Sequence, residues 1–501
     1  MKDISLWTDT AERPEFSSMK ESHDFETVVV GAGLTGITTA LLLARAGVKV
    51  AVIEADTVGS GTSGGTTAKV TVQHGIKLCY LADEKANAYM KANEAGMKRI
   101  TSFIDELKID CDFEKTSAYV FARSDPEVEE LEKELRAYER LGVPGHMVSE
   151  TQLPFDIRCA LVMEDQAQFH PLKYLYGLTQ ELTRLGVPVW EKTRALSLER
   201  DDSHVTVVTE HGTIRAESAV LATGYPLVEY PGLFFLRLHQ SRSYLLAAEA
   251  DAPDGMYINA GTPVNTLRSC TLGGRRWLLI GGFGHRTAKE DQVDTGLAPS
   301  VEFLNSAFPG VNPSYGWSAQ DIMTIDNLPY IGSLYKDGPG VYVATGFAKW
   351  GMTNSAAASM MITDEMTGSH MIDRGIRQVF SPLRVAPGAS AKGLLTQAGE
   401  VIREFTAGYI RIPEGSFDEL EPDEGAVLRI EGEALAVYKD KDGHTSAFKA
   451  HCTHLGCPLE YNEDEKTFDC PCHGSRFSMT GEIVDGPAKK PLERMDEELS
   501  E

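Results

Sequence analysis

Thr27-Val28-Val29-Val30-Gly31-Ala32-Gly33-Leu34-Thr35-Gly36 runs straight into an apolar stretch from Ile37 to Ala46, then Gly47, then Val48 to Ile53 and Glu54. The order is strand, glycine turn, apolar helix, helix-ending glycine, second strand and an acid at its end. A bare glycine triplet is weak evidence, but inside a full βαβ unit it signals dinucleotide binding. Gly31 permits the tight turn, Gly33 lets the backbone approach a pyrophosphate, and Gly36 lets the helix pack closely on the strand. Leu34 and Thr35 open the helix, whose N-terminus stabilises phosphate charge. Glu54 would accept hydrogen bonds from an adenosine ribose, which disfavours a 2′-phosphate there. The turn by itself does not separate FAD from NAD.

Two short boxes stand apart near the other end: Cys452-Thr453-His454-Leu455-Gly456-Cys457 and Cys470-Pro471-Cys472-His473-Gly474-Ser475, with fifteen residues between His454 and Cys470. Half of the eight cysteines sit in them, which is improbable by chance. Two cysteines and two histidines in this order suit a Rieske [2Fe–2S] centre, where two thiolates hold one iron and two imidazoles the other. That chemistry is one-electron transfer. A structural zinc site is the other reading of such pairs, and its four ligands would leave Cys457 and Cys472 idle.

Both boxes resemble those of the Rieske proteins of respiratory and photosynthetic cytochrome bc complexes. Position by position, the resemblance implies that Cys452 and Cys470 bind the buried iron and His454 and His473 the outer one. It implies a Cys457–Cys472 disulfide pinning the loops together. Rieske oxygenases generally lack that second cysteine pair, so the match favours electron transfer over oxygen activation. Ser475 is in place to hydrogen-bond a cluster sulfur, but Phe477 stands where high-potential members carry tyrosine. One donor fewer implies a lower potential. The histidine edge is expected to be exposed and to hand electrons to a partner protein or quinone.

From residue 25 to about 370 the chain resembles the D-amino-acid-oxidase-like flavoenzymes, which include glycine and sarcosine oxidases. Three stretches carry the likeness: Gly59 to Lys69, small and rich in hydroxyls; Val220-Leu221-Ala222-Thr223-Gly224; and Asp326-Asn327-Leu328-Pro329-Tyr330-Ile331-Gly332, leading through Gly340–Gly346 to Gly351. The resemblance implies FAD held by Gly31, Gly33, Leu34, Thr35, Gly36 and Glu54, and by Thr62, Ser63, Thr66 and Thr67 around the pyrophosphate. Thr223 and Gly224 would return to the cofactor, and Gly346, Gly351, Met352 and Thr353 would open a helix near the flavin pyrimidine. Neither Gly65 nor Thr66 is the histidine that some relatives use for covalent attachment, so the FAD is expected to dissociate. Gly281-Gly282-Phe283-Gly284 lacks the spacing of a second fingerprint, which argues against a nicotinamide electron source. Lys69 and Asp321 are the candidate catalytic residues. Glycine-oxidase-like relatives grip the substrate carboxylate with an arginine that, counted back from Pro329, falls on Asp321. A carboxylate there repels a carboxylate, so the expected substrate is an amine rather than a simple α-amino acid. His170, in Gln168-Phe169-His170-Pro171, reads as structural.

Five hundred and one residues suffice for two or three domains. A formal charge of −25 disfavours nucleic acid and anionic membranes as partners. No run is apolar enough for a membrane span or a signal peptide, and Cys79, Cys111, Cys159 and Cys270 read as reduced thiols, so a cytoplasmic protein is expected. The fold class is an α/β FAD-binding Rossmann-type domain with an interleaved β-sheet substrate lobe, followed by an all-β Rieske domain. The expected division is an N-terminal tail over 1–24, a flavin domain over 25–385 with the substrate lobe at about 80–165 and 228–320, a linker over 386–406 that includes a helix over 391–405, and a Rieske domain over 407–501. The expected function is a flavin-dependent oxidoreductase that oxidises a C–N bond and passes electrons singly to the [2Fe–2S] cluster and an external acceptor. Alternatives are an oxygen-using flavin oxidase with the Rieske domain as an appendage, and a non-enzymatic electron-transfer adaptor. A Rieske oxygenase would need a two-histidine, one-carboxylate iron site, and no such grouping stands out.

Overall fold

The computed structural model describes residues 1–288, 296–384 and 411–495, together with 399, 403, 408 and 409. The elements that position the site are, in chain order, strand β1 (His23–Val30), helix α1 (Leu34–Arg45), and strands β2 (Val50–Ile53), β3 (Gly212–Leu221), β4 (Leu238–Glu249), β5 (Tyr315–Thr324) and β6 (Gly340–Thr345), then helix α2 (Gly351–Thr367). Strands β7 (Glu424–Ile430), β8 (Glu433–Lys439), β9 (Thr445–Lys449), β10 (Glu460–Asn462), β11 (Thr467–Asp469), β12 (Arg476–Ser478) and β13 (Ile483–Asp485) follow.

Strands β6, β3, β1 and β2 lie side by side and parallel, with Ala219 between Val341 and Val28, and Val28 opposite Ala51. A parallel strand covered on both faces must be apolar on both, and Val28, Val29 and Val30 are all buried. Helix α1 is buried along its first ten residues and packs on α2, where the Thr39 hydroxyl donates to Ser359 Oγ at 2.9 Å.

A second, mostly antiparallel sheet holds β4 between β5 and the strand Arg275–Arg286. Arg242 pairs with Gln320 and Tyr244 with Ser318, while Ser241 pairs with Asp321 and Ser243 with Ala319. Side chains alternate along a strand. Gln240, Arg242, Ser318 and Gln320 therefore share one face, and Ser241, Ser243, Ala319 and Asp321 share the other.

Residues 1–24, expected as a tail, are part of the fold instead: the first few join this layer, and His23 and Asp24 already belong to β1. Lys2–Asp3 pairs with the start of β5, and Leu6 and Trp7 are completely buried. The few apolar residues of this stretch, Ile4, Leu6, Trp7, Phe16 and Met19, recur at no helix or strand period, so the sequence does not reveal the packing. The linker expected over 386–406, with its helix over 391–405, lies outside the described residues apart from 399 and 403.

The C-terminal region is all β. Strands β7, β8 and β9 form one antiparallel sheet, and β10 to β13 form a second. The turn Asp440–Gly443 joins β8 to β9, with Gly443 at φ +86°. The first cysteine box follows β9, and the second is the turn between β11 and β12. Among the described residues no helix is long and apolar enough to cross a membrane.

Candidate redox site

The glycine turn has the crowding that its sequence implies. A Cβ on Gly36 would stand 1.8 Å from the Gly31 carbonyl oxygen, and one on Gly31, at φ +105°, would stand 2.6 Å from Ala222 O. Glu54, just beyond β2, accepts from the Ala32 amide at 2.7 Å and from the Asp56 amide at 3.0 Å. Burial pushes its pKa up, and those two amides hold it back. An acid fixed beside the glycine turn is placed to receive a ribose. Ser63 accepts from the Leu34 amide at 3.1 Å, so the hydroxyl-rich loop reaches the start of α1, where Thr35 follows. These residues fit a bound dinucleotide.

The same loop meets the second sheet. Trp317 Nε1 donates to the Gly65 carbonyl at 2.9 Å, Thr62 donates to the Gln320 carbonyl at 2.8 Å, and a Cβ on Gly65 would lie 3.1 Å from that of Ala319. Thr66 accepts from Ala68 N at 3.0 Å and offers its carbonyl to Trp7 Nε1 at 2.7 Å. Thr67 is half-buried next to it. The Ala319 face of β5, which carries Asp321, therefore looks toward this loop. Asp321 is half-buried, and burial raises its pKa against the pull of Lys349. Lys349 is exposed at the surface. Desolvation by the groups packed around it lowers its pKa, Asp321 raises it, and its ammonium donates to Ser243 Oγ at 2.7 Å.

Lys69 is placed differently. It is buried in the second sheet and donates to the Tyr257 carbonyl at 3.0 Å and to the Thr266 hydroxyl. Burial, with the buried Arg268 nearby, lowers its pKa to about 7. His170 caps the helix Pro171–Arg184, accepting from Lys173 N at 3.3 Å.

On the far side, Thr223 Oγ1 donates to Tyr225 O at 2.5 Å, and the Thr345 hydroxyl donates to Gly224 O at 2.5 Å. Gly346 sits at φ +76° where a Cβ would meet Thr324 at 2.2 Å, so only glycine fits. Helix α2 then opens with Gly351, Met352 and Thr353. The Thr353 hydroxyl donates to Asn93 Oδ1 at 2.8 Å, and Trp350 stacks on His74 at 4.6 Å.

The two cysteine boxes fold alike. Cys452 N donates to Cys457 O, and Gly456 N to Cys452 O, both at 2.8 Å. Cys470 N donates to Ser475 O, and Gly474 N to Cys470 O, again at 2.8 Å. Gly456 and Gly474 both take positive φ, +80° and +72°. Cys457 and Cys472 form a disulfide, and Cys452 and Cys470 are buried free thiols. Contact with Cys470 lowers the pKa of Cys452 despite its burial, and Ser475 adds to the effect. The rings of His454 and His473 stand edge-on at 5.2 Å, and both Nδ1 atoms are buried without a hydrogen-bond partner among the described residues. A buried, unpaired ring nitrogen is costly. Two of them beside two free thiols are what a [2Fe–2S] cluster would satisfy.

The outer edge of those imidazoles is not exposed, contrary to expectation, because the loop after β3 covers it. His454 Nε2 lies 3.1 Å from Glu229 Oε1, His473 Nε2 lies 3.1 Å from the Phe235 carbonyl oxygen, and the two rings are buried. Glu229 and Phe235 belong to the loop that leaves Thr223–Gly224. Tyr225 OH and Phe235 N both donate to the Glu229 carboxylate at 2.9 Å, and Tyr225 meets the His454 ring edge-on at 5.9 Å.

The Gln240–Arg242 face of the second sheet holds the rest of the C-terminal β region. Arg242 contacts Glu465 at 2.5 Å and Asp485 at 3.3 Å, and Arg476 reaches Glu465, Asp469 and Asp485 at 2.9, 3.1 and 3.2 Å. Gln320 Nε2 donates to Gly474 O at 2.9 Å and Gln240 Nε2 to Gly486 O at 3.0 Å. One sheet thus has the flavin-side loop on one face and the cluster domain on the other. Sequence reasoning missed Glu229, Arg242, Gln320, Arg476 and Lys349. Only Lys349 had a usable signal, its place two residues before Gly351.

The FAD dependent oxidoreductase family matches residues 26–365, and the Rieske [2Fe-2S] domain matches residues 411–496. The chain is similar to YhfW of Bacillus subtilis (strain 168), named for a Rieske 2Fe-2S iron-sulfur protein, with 32% identity over 98% of this chain and 97% of that one. Its last part is similar to the cytochrome b6-f complex iron-sulfur subunit of Synechococcus elongatus, 34% identical over 19% of this chain and 55% of the subunit. Among solved structures, glycine oxidase from Geobacillus kaustophilus shares the fold with a TM-score of 0.61 and 19% identity, over 73% of this chain and 100% of that one. FAD and a [2Fe–2S] cluster are the cofactors of the two matched regions.

Proposed function

We propose, for a chain that belongs to the FAD dependent oxidoreductase family and carries a Rieske [2Fe-2S] domain behind it, that it oxidises an amine-type C–N bond and passes the electrons on singly to an external acceptor. When bound, FAD supplies the two-electron acceptor and the cluster a one-electron relay. Gly31, Gly33, Gly36, Glu54 and Ser63 hold the adenosine and pyrophosphate, while Thr223, Gly224, Gly346 and the start of α2 hold the flavin end. Cys452, Cys470, His454 and His473 hold the cluster.

On the substrate side, Asp321 attracts an ammonium. Asp321 alone would repel a substrate carboxylate, but Lys349 beside it offsets that charge. The pair therefore accepts an amine next to Asp321 whether or not the substrate also carries a carboxylate.

One observation carries the relay: both cluster imidazoles rest on the loop that leaves the flavin sheet at Thr223–Gly224. With that edge covered, the acceptor approaches at the rim, where Leu455 stands 49% exposed next to His454. The test is anaerobic mixing of the loaded protein with a panel of amines and amino acids, following flavin bleaching and the reduced-cluster EPR signal together. Both signals should appear with an amine. Bleaching with no EPR signal, and peroxide formed in air, would replace the relay by a plain oxidase.

A further inference from the structure

Glu229 sits on no motif, yet the fold spends several contacts to fix it. Its Oε1 lies 3.1 Å from His454 Nε2 and receives the Tyr225 hydroxyl at 2.9 Å; its Oε2 receives the Phe235 amide at 2.9 Å. Its side chain is 21% exposed and that of His454 8%, so little water stands between the charge and the ring. From the Rieske side, Lys489 Nζ donates to Leu227 O at 2.6 Å and ties the same loop down. His473 Nε2 faces a neutral carbonyl, that of Phe235, at 3.1 Å. The two imidazoles are thus seated unequally, one on a carboxylate and one on a peptide dipole.

We infer that Glu229 is a positioning residue that seats the His454 edge on the flavin domain and sets how readily the cluster accepts an electron. The inference rests on the relay reading above. When His454 Nδ1 binds iron, Nε2–H becomes a donor, and Glu229 is its acceptor. Reduction adds one electron from the flavin side and makes or breaks no bond. The added negative charge then lies close to a fixed carboxylate in a poorly screened site, which disfavours the reduced form. Glu229 therefore holds the potential down, and the neutral seat of His473 does so far less.

The experiment measures the cluster midpoint potential of the loaded full-length protein in the wild type, Glu229→Gln, Glu229→Asp and a surface control, Asp442→Asn. Glu229→Gln should favour the reduced cluster about tenfold or more, which is about 59 mV upward for a one-electron couple. Glu229→Asp, which keeps the charge, should stay closer to the wild type, and Asp442→Asn should not move. A Glu229→Gln potential equal to that of the control overturns the inference. Glu229→Asp shifting as far as Glu229→Gln also overturns it, because charge would then not be the cause. Light reduction of the flavin in the wild type separates the two readings. If the cluster stays oxidised there while Glu229→Gln still raises the potential, the relay fails and the seat stands.

Discussion

Replacing Glu465 by methionine tests whether the arginine–carboxylate cluster holds the two domains together. The side chains of Arg242 and Arg476 are only 7% and 2% exposed, and Glu465 contacts both. Removing one member of a buried pair costs about 3–5 kcal/mol, because the partner charge is left without compensation. Here Asp485 stays 3.3 Å from Arg242 and Asp469 stays 3.1 Å from Arg476, which argues for the lower end, about 3 kcal/mol. Arg242→Met is milder, about 1–2 kcal/mol, since Glu465 and Asp485 both keep Arg476. The double variant should cost no more than Glu465→Met alone, because it removes the stranded cation along with its partner, so the coupling is about 1–2 kcal/mol. Urea unfolding of the loaded full chain, followed by cluster absorbance, reads all three values. Strict additivity of the two single changes, or no loss in Glu465→Met, would refute the reasoning.

Phe477 is fully buried in β12, beside the second box, and Phe477→Tyr should raise the cluster potential by restoring a hydroxyl donor; an unchanged or lower value counts against that account. Gly36→Ala puts a methyl group 1.8 Å from Gly31 O, so the variant should purify with its cluster EPR signal intact and without FAD, and retained yellow colour would contradict this. Lys69 gives a pH prediction. Its folded pKa of about 7 lies below the unfolded value, so between about pH 7 and 10 the unfolded chain binds the extra proton and stability rises with pH. The contribution is about 1.4 kcal/mol per pH unit. It should be absent in Lys69→Met, as shown by the difference between the two unfolding curves at pH 7 and pH 9.

The glycine turn and the cysteine boxes are legible in the sequence because their chemistry fixes residue types within a few positions. Gly31, Gly33 and Gly36 answer to one turn of backbone, and each cysteine box closes on itself through two backbone hydrogen bonds. The seat on Glu229 and the Arg242–Glu465 pair join residues more than two hundred positions apart, with no period or spacing to announce them. That is also why the histidine edge reads as exposed from the sequence: its cover comes from another domain. Trp7 fails to show for a related reason, since one buried indole in a polar stretch makes no pattern. Lys349 lies inside the closing stretch that the resemblance singles out, but its role depends on Asp321 from a different part of the chain.

The most direct measurement is the rate of cluster reduction after a light pulse has reduced the flavin, recorded anaerobically over a hundredfold range of protein concentration. Transfer across the Tyr225–Phe235 loop within one chain gives a single first-order rate that does not change with dilution. A rate that falls in proportion to concentration, or a cluster that stays oxidised, would contradict the account.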